Sequence, residues 1–265
     1  MLVCVLKMIG SPRGGDNLFH EVLGSELARV LGLPVPKWKV LNVSENFINQ
    51  NARLWFESEG RLARPTAGLH FGSAFIEAHP GGETYQMVPA SWHPRIVNAG
   101  DFFGILLFDL WTNRLDNRQA LFVHIPGNQL RVIFINHGRM FGPTDSLRKR
   151  VGRVRFLDTR VYSLGSAALL TRWQKRIEAV STSRISYVMD TVPLSWRRPG
   201  YPEVILNRLL EAQARISADV RSLRALLEED DSLLVTSPRD IHGRAGQGLD
   251  SNRNRLRIGY AISPA

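Results

Sequence analysis

Apolar and polar positions recur along this chain with two periods, and the change from one to the other marks out its elements. Residues 2–9 form an apolar run broken by Lys7, with apolar side chains on both faces, which predicts a buried strand. Residues 10–15 carry Gly10, Pro12, Gly14 and Gly15 and predict a turn, after which Asp16 suits a helix N-cap. Leu18, Phe19, Val22, Leu23, Leu27, Val30 and Leu31 then recur at helical spacing until Gly32 and Pro34 stop the helix. Residues 36–43 alternate as a strand. Residues 44–82 are mixed, and Leu69 to Ser73 carries no assignable period. Residues 85–89 predict a short strand, and 90–100, with Pro94, Asn98 and Gly100, a linker.

The pattern is densest in residues 101–141. Residues 102–111 are nearly all apolar, which predicts a buried helix. A polar loop follows over 112–119 with Asp116 at its centre. Two apolar runs, 121–125 and 131–135, are joined by Pro126, Gly127 and Asn128 and predict a hairpin. Asn136, His137 and Gly138 leave the end of the hairpin that the polar loop enters. Two sets of polar side chains thus share one rim, braced by a helix beneath, which is where a site belongs. Residues 142–165 read as irregular and basic. Helical stripes predict helices over 167–181, 183–192 and 202–229, the last opened by Pro202. Residues 236–265, rich in Gly, Ser, Asn and Arg, are expected to be a disordered tail. A boundary near residue 90 divides the rest into 1–90 and 91–235.

Composition narrows the classes. The chain has 265 residues, 44% of them hydrophobic, so a sizeable core is expected. The single cysteine, Cys4, excludes an internal disulfide and a cysteine metal cluster and fits a reducing, cytoplasmic setting. Lys7 interrupts the apolar start and no basic segment precedes it, so no signal peptide is expected. No apolar run reaches the roughly 18–20 residues of a membrane helix. The net charge is +10, and residues 145–198 hold twelve Lys and Arg against four acids. That stretch reads either as a surface for an anionic partner or as a solvated, arginine-rich face; without a recognition helix, zinc or stacking motif, nucleic acid is not the expected partner.

A lysine within a buried strand wants an anionic partner. Strand, turn and helix would let Glu21, one turn into the first helix, face Lys7. Spacing alone leaves the other reading open, in which Lys7 reaches water and Glu21 favours the helix N-terminus.

Three segments carry a resemblance. LFHEVLGSELARVLGLPVP looks like the stretch after the lysine strand in the HipA-like kinase family. FDLWTNRLDNRQALFV is similar to that family's catalytic loop, with Asp-x-Arg-Gln-x-x-Phe intact from Asp116 to Phe122. VIFINHGRMFG resembles its metal-binding motif, normally Ile-Asp-x-Gly with a Phe three residues on. Three motifs in one order over residues 1–230 imply a two-lobed, protein-kinase-like α+β fold with a truncated N-lobe sheet and a mainly helical C-lobe.

The resemblance also implies roles. Lys7 would hold the phosphates of ATP and Glu21 would orient it. Asp116 would receive or position the acceptor hydroxyl. Asn117 or Gln119 would supply an amide oxygen near Mg, and Asn136 stands where the metal-binding aspartate is expected. The chain departs from the family in three ways. Leu121 replaces the asparagine five residues after the loop aspartate, and Asn136 offers magnesium a neutral oxygen in place of a carboxylate. The strands and glycine loop that cover the phosphates do not precede Lys7. ATP-dependent phosphotransfer to a protein or small hydroxyl acceptor is therefore one expectation. A catalytically weakened pseudokinase that binds nucleotide or a partner is the other, and a nucleic-acid-binding module the third. No membrane partner is expected.

Overall fold

The computed structural model describes residues 3–9, 16–58, 61–165, 167–229 and 257–258. The architecture is mixed α+β. Strand β1 (Cys4–Lys7) leads to helix α1 (Asp16–Val30), β2 (Trp38–Val43), a short α2 (Glu45–Gln50), the hairpin β3 (Phe56–Ser58) and β4 (Arg61–Ala63), and β5 (Gly68–Ala74). Strand β6 (Thr84–Tyr85) and a 3-10 turn over Ala90–Arg95 precede helix α3 (Asp101–Trp111). The hairpin β7 (Gln119–Ile125) and β8 (Gln129–Ile135) follows. Helices α4 (Leu147–Val154), α5 (Ala167–Glu178), α6 (Thr182–Asp190) and α7 (Tyr201–Glu229) complete the body. The tail expected over 236–265 lies outside the described residues except for β9 (Arg257–Ile258), paired with β1.

One sheet has the order β2-β5-β1-β9 and another β6-β7-β8, with β3 and β4 a separate ribbon. All pairings in these sheets are antiparallel. β5, whose sequence showed no period, is the central strand between β1 and β2. Gly72 explains why a side chain is missing there: an added Cβ would stand 2.6 Å from the Leu41 side chain on the neighbouring strand.

β1 differs from the buried strand expected of its sequence, because all four of its residues are only half-buried. Its two faces do different work. Val5 and Lys7 face a cleft, whereas Leu6 packs on a small second core of Met8, Val43, Ile48 and Phe56. The expected linker is also more ordered than its composition suggested. Asn98 acts as a surrogate strand, accepting from Val132 N at 2.9 Å and donating to Val132 O at 3.0 Å, and Ile96 bridges to Leu130. Within the expected irregular stretch 142–165, α4 forms, and its buried Arg150 caps the Leu110 carbonyl at 2.6 Å and pairs with Asp219 of α7 at 3.1 Å.

α3 is buried along its length from Phe102 to Trp111 because it sits between the hairpin and the helical layer. Its one charged inward residue, Asp109, receives both an Nε and an Nη bond from Arg118 at the start of the hairpin. Charge burial on this scale survives only when paired and hydrogen-bonded. On the other side Trp111 Nε1 donates to Leu209 O of α7 at 3.0 Å. No helix among the described residues is long and apolar enough to cross a membrane.

The α3–α5 contact depends on Gly104, where an added Cβ would lie 2.4 Å from the Trp173 ring. Alanine is the better helix former by about 0.8–1 kcal/mol, so propensity and packing make opposite predictions. Gly104→Ala is expected to lower stability by about 1–3 kcal/mol in chemical denaturation; an unchanged or raised midpoint would show that the two helices part freely.

Candidate active-site cleft

A cleft of about 670 Å³ lies between the two main sheets. This is within the usual range of about 300–1,000 Å³ for small-molecule sites. Val5, Lys7 and Phe71 line it from one sheet, and Leu121, Ile135 and Asn136 from the other. The connection from β5 to β6, with Phe75, Glu77 and Glu83, closes one edge.

Lys7, Glu21, Asn136 and Gln119 meet at one end. Lys7 Nζ forms an ion pair with Glu21 Oε1 and donates to Asn136 Oδ1 at 2.9 Å. Asn136 Nδ2 donates to Gln119 Oε1 at 3.3 Å. Because an ammonium only donates, this chain of bonds also fixes which amide atom of Asn136 is oxygen. The other Glu21 oxygen accepts from His137 N at 3.0 Å. The Glu21 side chain is 2% exposed, so the pair is held in place while Lys7, at 21%, still faces the cleft.

Local backbone geometry makes this convergence possible. Asn136 leaves β8 with φ of +66°, a left-handed conformation that asparagine tolerates. Gly138 sits so close to α1 that a Cβ there would lie 1.7 Å from Asn17 Oδ1 and 2.6 Å from Glu21 Oε1. Gly24, a turn further along α1, likewise leaves room for His137 Cβ, 2.7 Å from where its own Cβ would be. His20 Nδ1 lies 3.1 Å from Gly138 O, and its Nε2 lies 2.7 Å from the Tyr201 hydroxyl. Burial lowers the His20 pKa and keeps the ring neutral. Since a carbonyl only accepts, Nδ1 carries the proton and the Tyr201 hydroxyl donates to Nε2.

Asp116 and Asn117 are placed differently. Asp116 does not line the cleft; its Oδ1 lies 2.5 Å from Arg114 Nη2 and its Oδ2 3.9 Å from Arg139 Nη1. Asn117 turns away, with Nδ2 donating to Arg155 O at 3.2 Å.

Two arginines, Arg114 and the Arg118 of the Asp-x-Arg-Gln signature, hold this region together. Arg114, fully buried, donates to Asp116 O at 3.0 Å and to Asn136 O at 2.6 Å. Burial, and then the like charge of Arg118, push its pKa down to about 10, so it stays charged at neutral pH. Arg118 joins Asp109 to Ile135 O at 3.0 Å and Asn136 O at 3.3 Å. The signal for Arg118 was Asp109, a carboxylate in an otherwise apolar helix that had to find a buried cation.

The donor set at Asn136 does not fit magnesium. A hard divalent cation wants ionised oxygen, whereas Asn136 and Gln119 are neutral and bonded to each other. Glu21 is bonded through both oxygens, and Asp116 faces Arg114. Among the described residues no group of three or more His, Cys, Asp or Glu is placed to hold a metal ion.

Burial alone would push the Glu21 carboxyl up, but the Lys7 ammonium, its hydrogen bond and the His137 amide together hold it below its ordinary value of 4.5. A carboxyl depressed in the folded state adds stability that is complete above the unfolded value and is lost as pH falls through the folded one. The native chain and Glu21→Gln are therefore expected to differ most in denaturation midpoint at neutral pH and to converge as pH falls below the ordinary carboxyl range. A gap that stays constant into acid would show that the carboxylate charge contributes nothing.

No family model matches the sequence, and no curated protein matches it either. Among solved structures, the crystal structure of the Golgi casein kinase with Mn/ADP bound is similar at 12% sequence identity and a TM-score of 0.43, over 77% of this chain and 61% of that chain. This chain thus spans less than two thirds of that one's length.

Proposed function

We propose that this chain is a kinase-like nucleotide-binding protein that holds ATP or a related nucleotide in the cleft and has little capacity to transfer its phosphoryl group. The observation that carries this reading is the position of Lys7, an ammonium held between a buried carboxylate and an amide at one end of the cleft. Held this way it presents positive charge to phosphate oxygens at little further entropic cost. Val5 on one wall and Leu121 and Ile135 on the other offer apolar contact to the two faces of a flat base. The HipA-like resemblance of the three segments adds the division into a lobe over 1–90 and a lobe over 91–235.

Two features support weak transfer. Asn136 brings no charge where the family places a metal-binding carboxylate. Asp116 faces Arg114 and Arg139, away from the cleft lining. The basic stretch 145–198 does not favour nucleic acid, because many of its arginines are engaged within the chain: Arg150 with Asp219, Arg153 with Asp145, Arg160 with Asp158, Arg197 with Asp190 and Arg198 with Asp16.

Removing Lys7 alone would strand the Glu21 charge, so the test changes both. The double substitution Lys7→Met and Glu21→Gln is expected to keep the chain folded and to weaken ATP binding at least roughly tenfold, by loss of a charge-assisted contact worth about 1.5–3 kcal/mol. Calorimetric titration measures it, and unchanged affinity would remove the nucleotide from this end of the cleft.

An active phosphotransferase is the second reading, favoured by the Asp116 side chain, which keeps 25% exposure and the sequence context of a catalytic loop. Asp116→Asn decides between them. The weak-transfer reading expects ATP affinity to stay within about twofold while stability falls by about 1.5–3 kcal/mol through the loss of Arg114's charged partner. ATP consumption by the native protein that Asp116→Asn abolishes would favour the enzyme.

A further inference from the structure

We propose that nucleotide binds in this cleft without a divalent cation, as the free nucleotide and not as a metal complex. The inference rests on the nucleotide reading above and concerns its cation requirement.

Charge balance at the Lys7 end carries the argument. Lys7 contributes one positive charge, Glu21 one negative charge and Asn136 none, so the three bonded groups sum to zero without any ion. A carboxylate at position 136 would leave the same cluster one negative charge in excess, beside an incoming phosphate, and a cation would be needed to offset both. Here the amide performs the bonding without the charge: its oxygen accepts from Lys7 and its nitrogen donates to Gln119.

The surrounding carboxylates lead to the same conclusion. Glu21 is used by Lys7 and by His137 N, Asp109 by two nitrogens of Arg118, and Asp116 by Arg114. Recruiting any of them to a metal would leave a buried cation or amide unpaired, which is expensive. Two further acids, Glu77 and Glu83, line the cleft at its other edge. Glu83 is hydrogen-bonded by the Tyr85 side chain, and Glu77 is exposed to solvent.

The test is calorimetric titration of the full chain with ATP, once in excess EDTA and once in excess magnesium. The two dissociation constants of the native protein are expected to agree within about threefold. Asn136→Asp, which keeps a residue type that also tolerates the left-handed backbone, is expected to bind ATP at least roughly tenfold more tightly with magnesium than without. Native affinity that falls tenfold or more in EDTA overturns the proposal while leaving the nucleotide reading intact. No binding in either condition overturns both. Should Asn136→Asp fail to fold, titration of the native protein with manganese alone, followed by the free-ion signal in electron paramagnetic resonance, is expected to show no site tighter than about 1 mM; a tighter site centred on this cleft also overturns it.

Discussion

One buried carboxylate holds the site together. Glu21 gives one oxygen to Lys7 on β1 and the other to the backbone N–H of His137, just past β8. Helix α1 therefore ties the upper sheet to the end of the lower hairpin through a single side chain. A carboxylate this deeply buried is tolerable only because both oxygens are satisfied by a charge and an amide. The geometry in turn demands the close approach of two chain segments, which is why glycine stands at position 138 against Glu21 and at position 24 against His137. The Tyr201–His20–Gly138 chain of bonds carries the same segment out to the start of α7, so the longest helix braces the loop that bears Asn136.

A second set of buried charges fixes the hairpin from beneath. Arg118 and Asp109 join β7 to α3, while Arg114 bridges Asp116 to the Asn136 carbonyl. Because Arg118 also reaches the Asn136 carbonyl, two guanidinium groups converge on one backbone oxygen. That convergence holds the left-handed turn at Asn136 in place more firmly than a solvated loop could. It also means that the acid at the centre of the polar loop serves the scaffold.

What was legible in the sequence was legible where period and burial agree. α1, α3, the hairpin and α7 each present an apolar pattern that only one kind of element can bury, and each is found within two residues of its expected span, both hairpin strands starting two residues earlier. Of the residues that the family resemblance assigned to one site, Lys7, Glu21, Gln119 and Asn136 come together, whereas Asp116, expected beside them, faces Arg114. β5 was not legible, because a central strand with His70 and Gly72 lacks the alternation by which strands are recognised, and its glycine answers to a neighbour, Leu41, that only the fold brings near. The half-burial of β1 was hidden for a related reason: an apolar cleft wall and an apolar core wall look alike in sequence. The buried, bracing role of Arg114 and Arg118 was not legible, because an arginine in a polar loop is ordinarily solvated, whereas both are buried here.

These buried pairs share one electrostatic property. Lys7 with Glu21, Arg114 with Asp116 and Arg118 with Asp109 are each neutral as a pair, and Asn136 and Gln119, which connect them, carry no charge. A region built this way does not need an ion to be stable, since every buried charge already has its counter-charge within bonding distance. A metal site has the opposite construction: carboxylates gathered closely enough to repel one another until a cation arrives. The amide at position 136 is the point at which the two constructions part. It preserves the shape and the hydrogen bond to Lys7 while withholding the one charge that would turn a closed network into an open one.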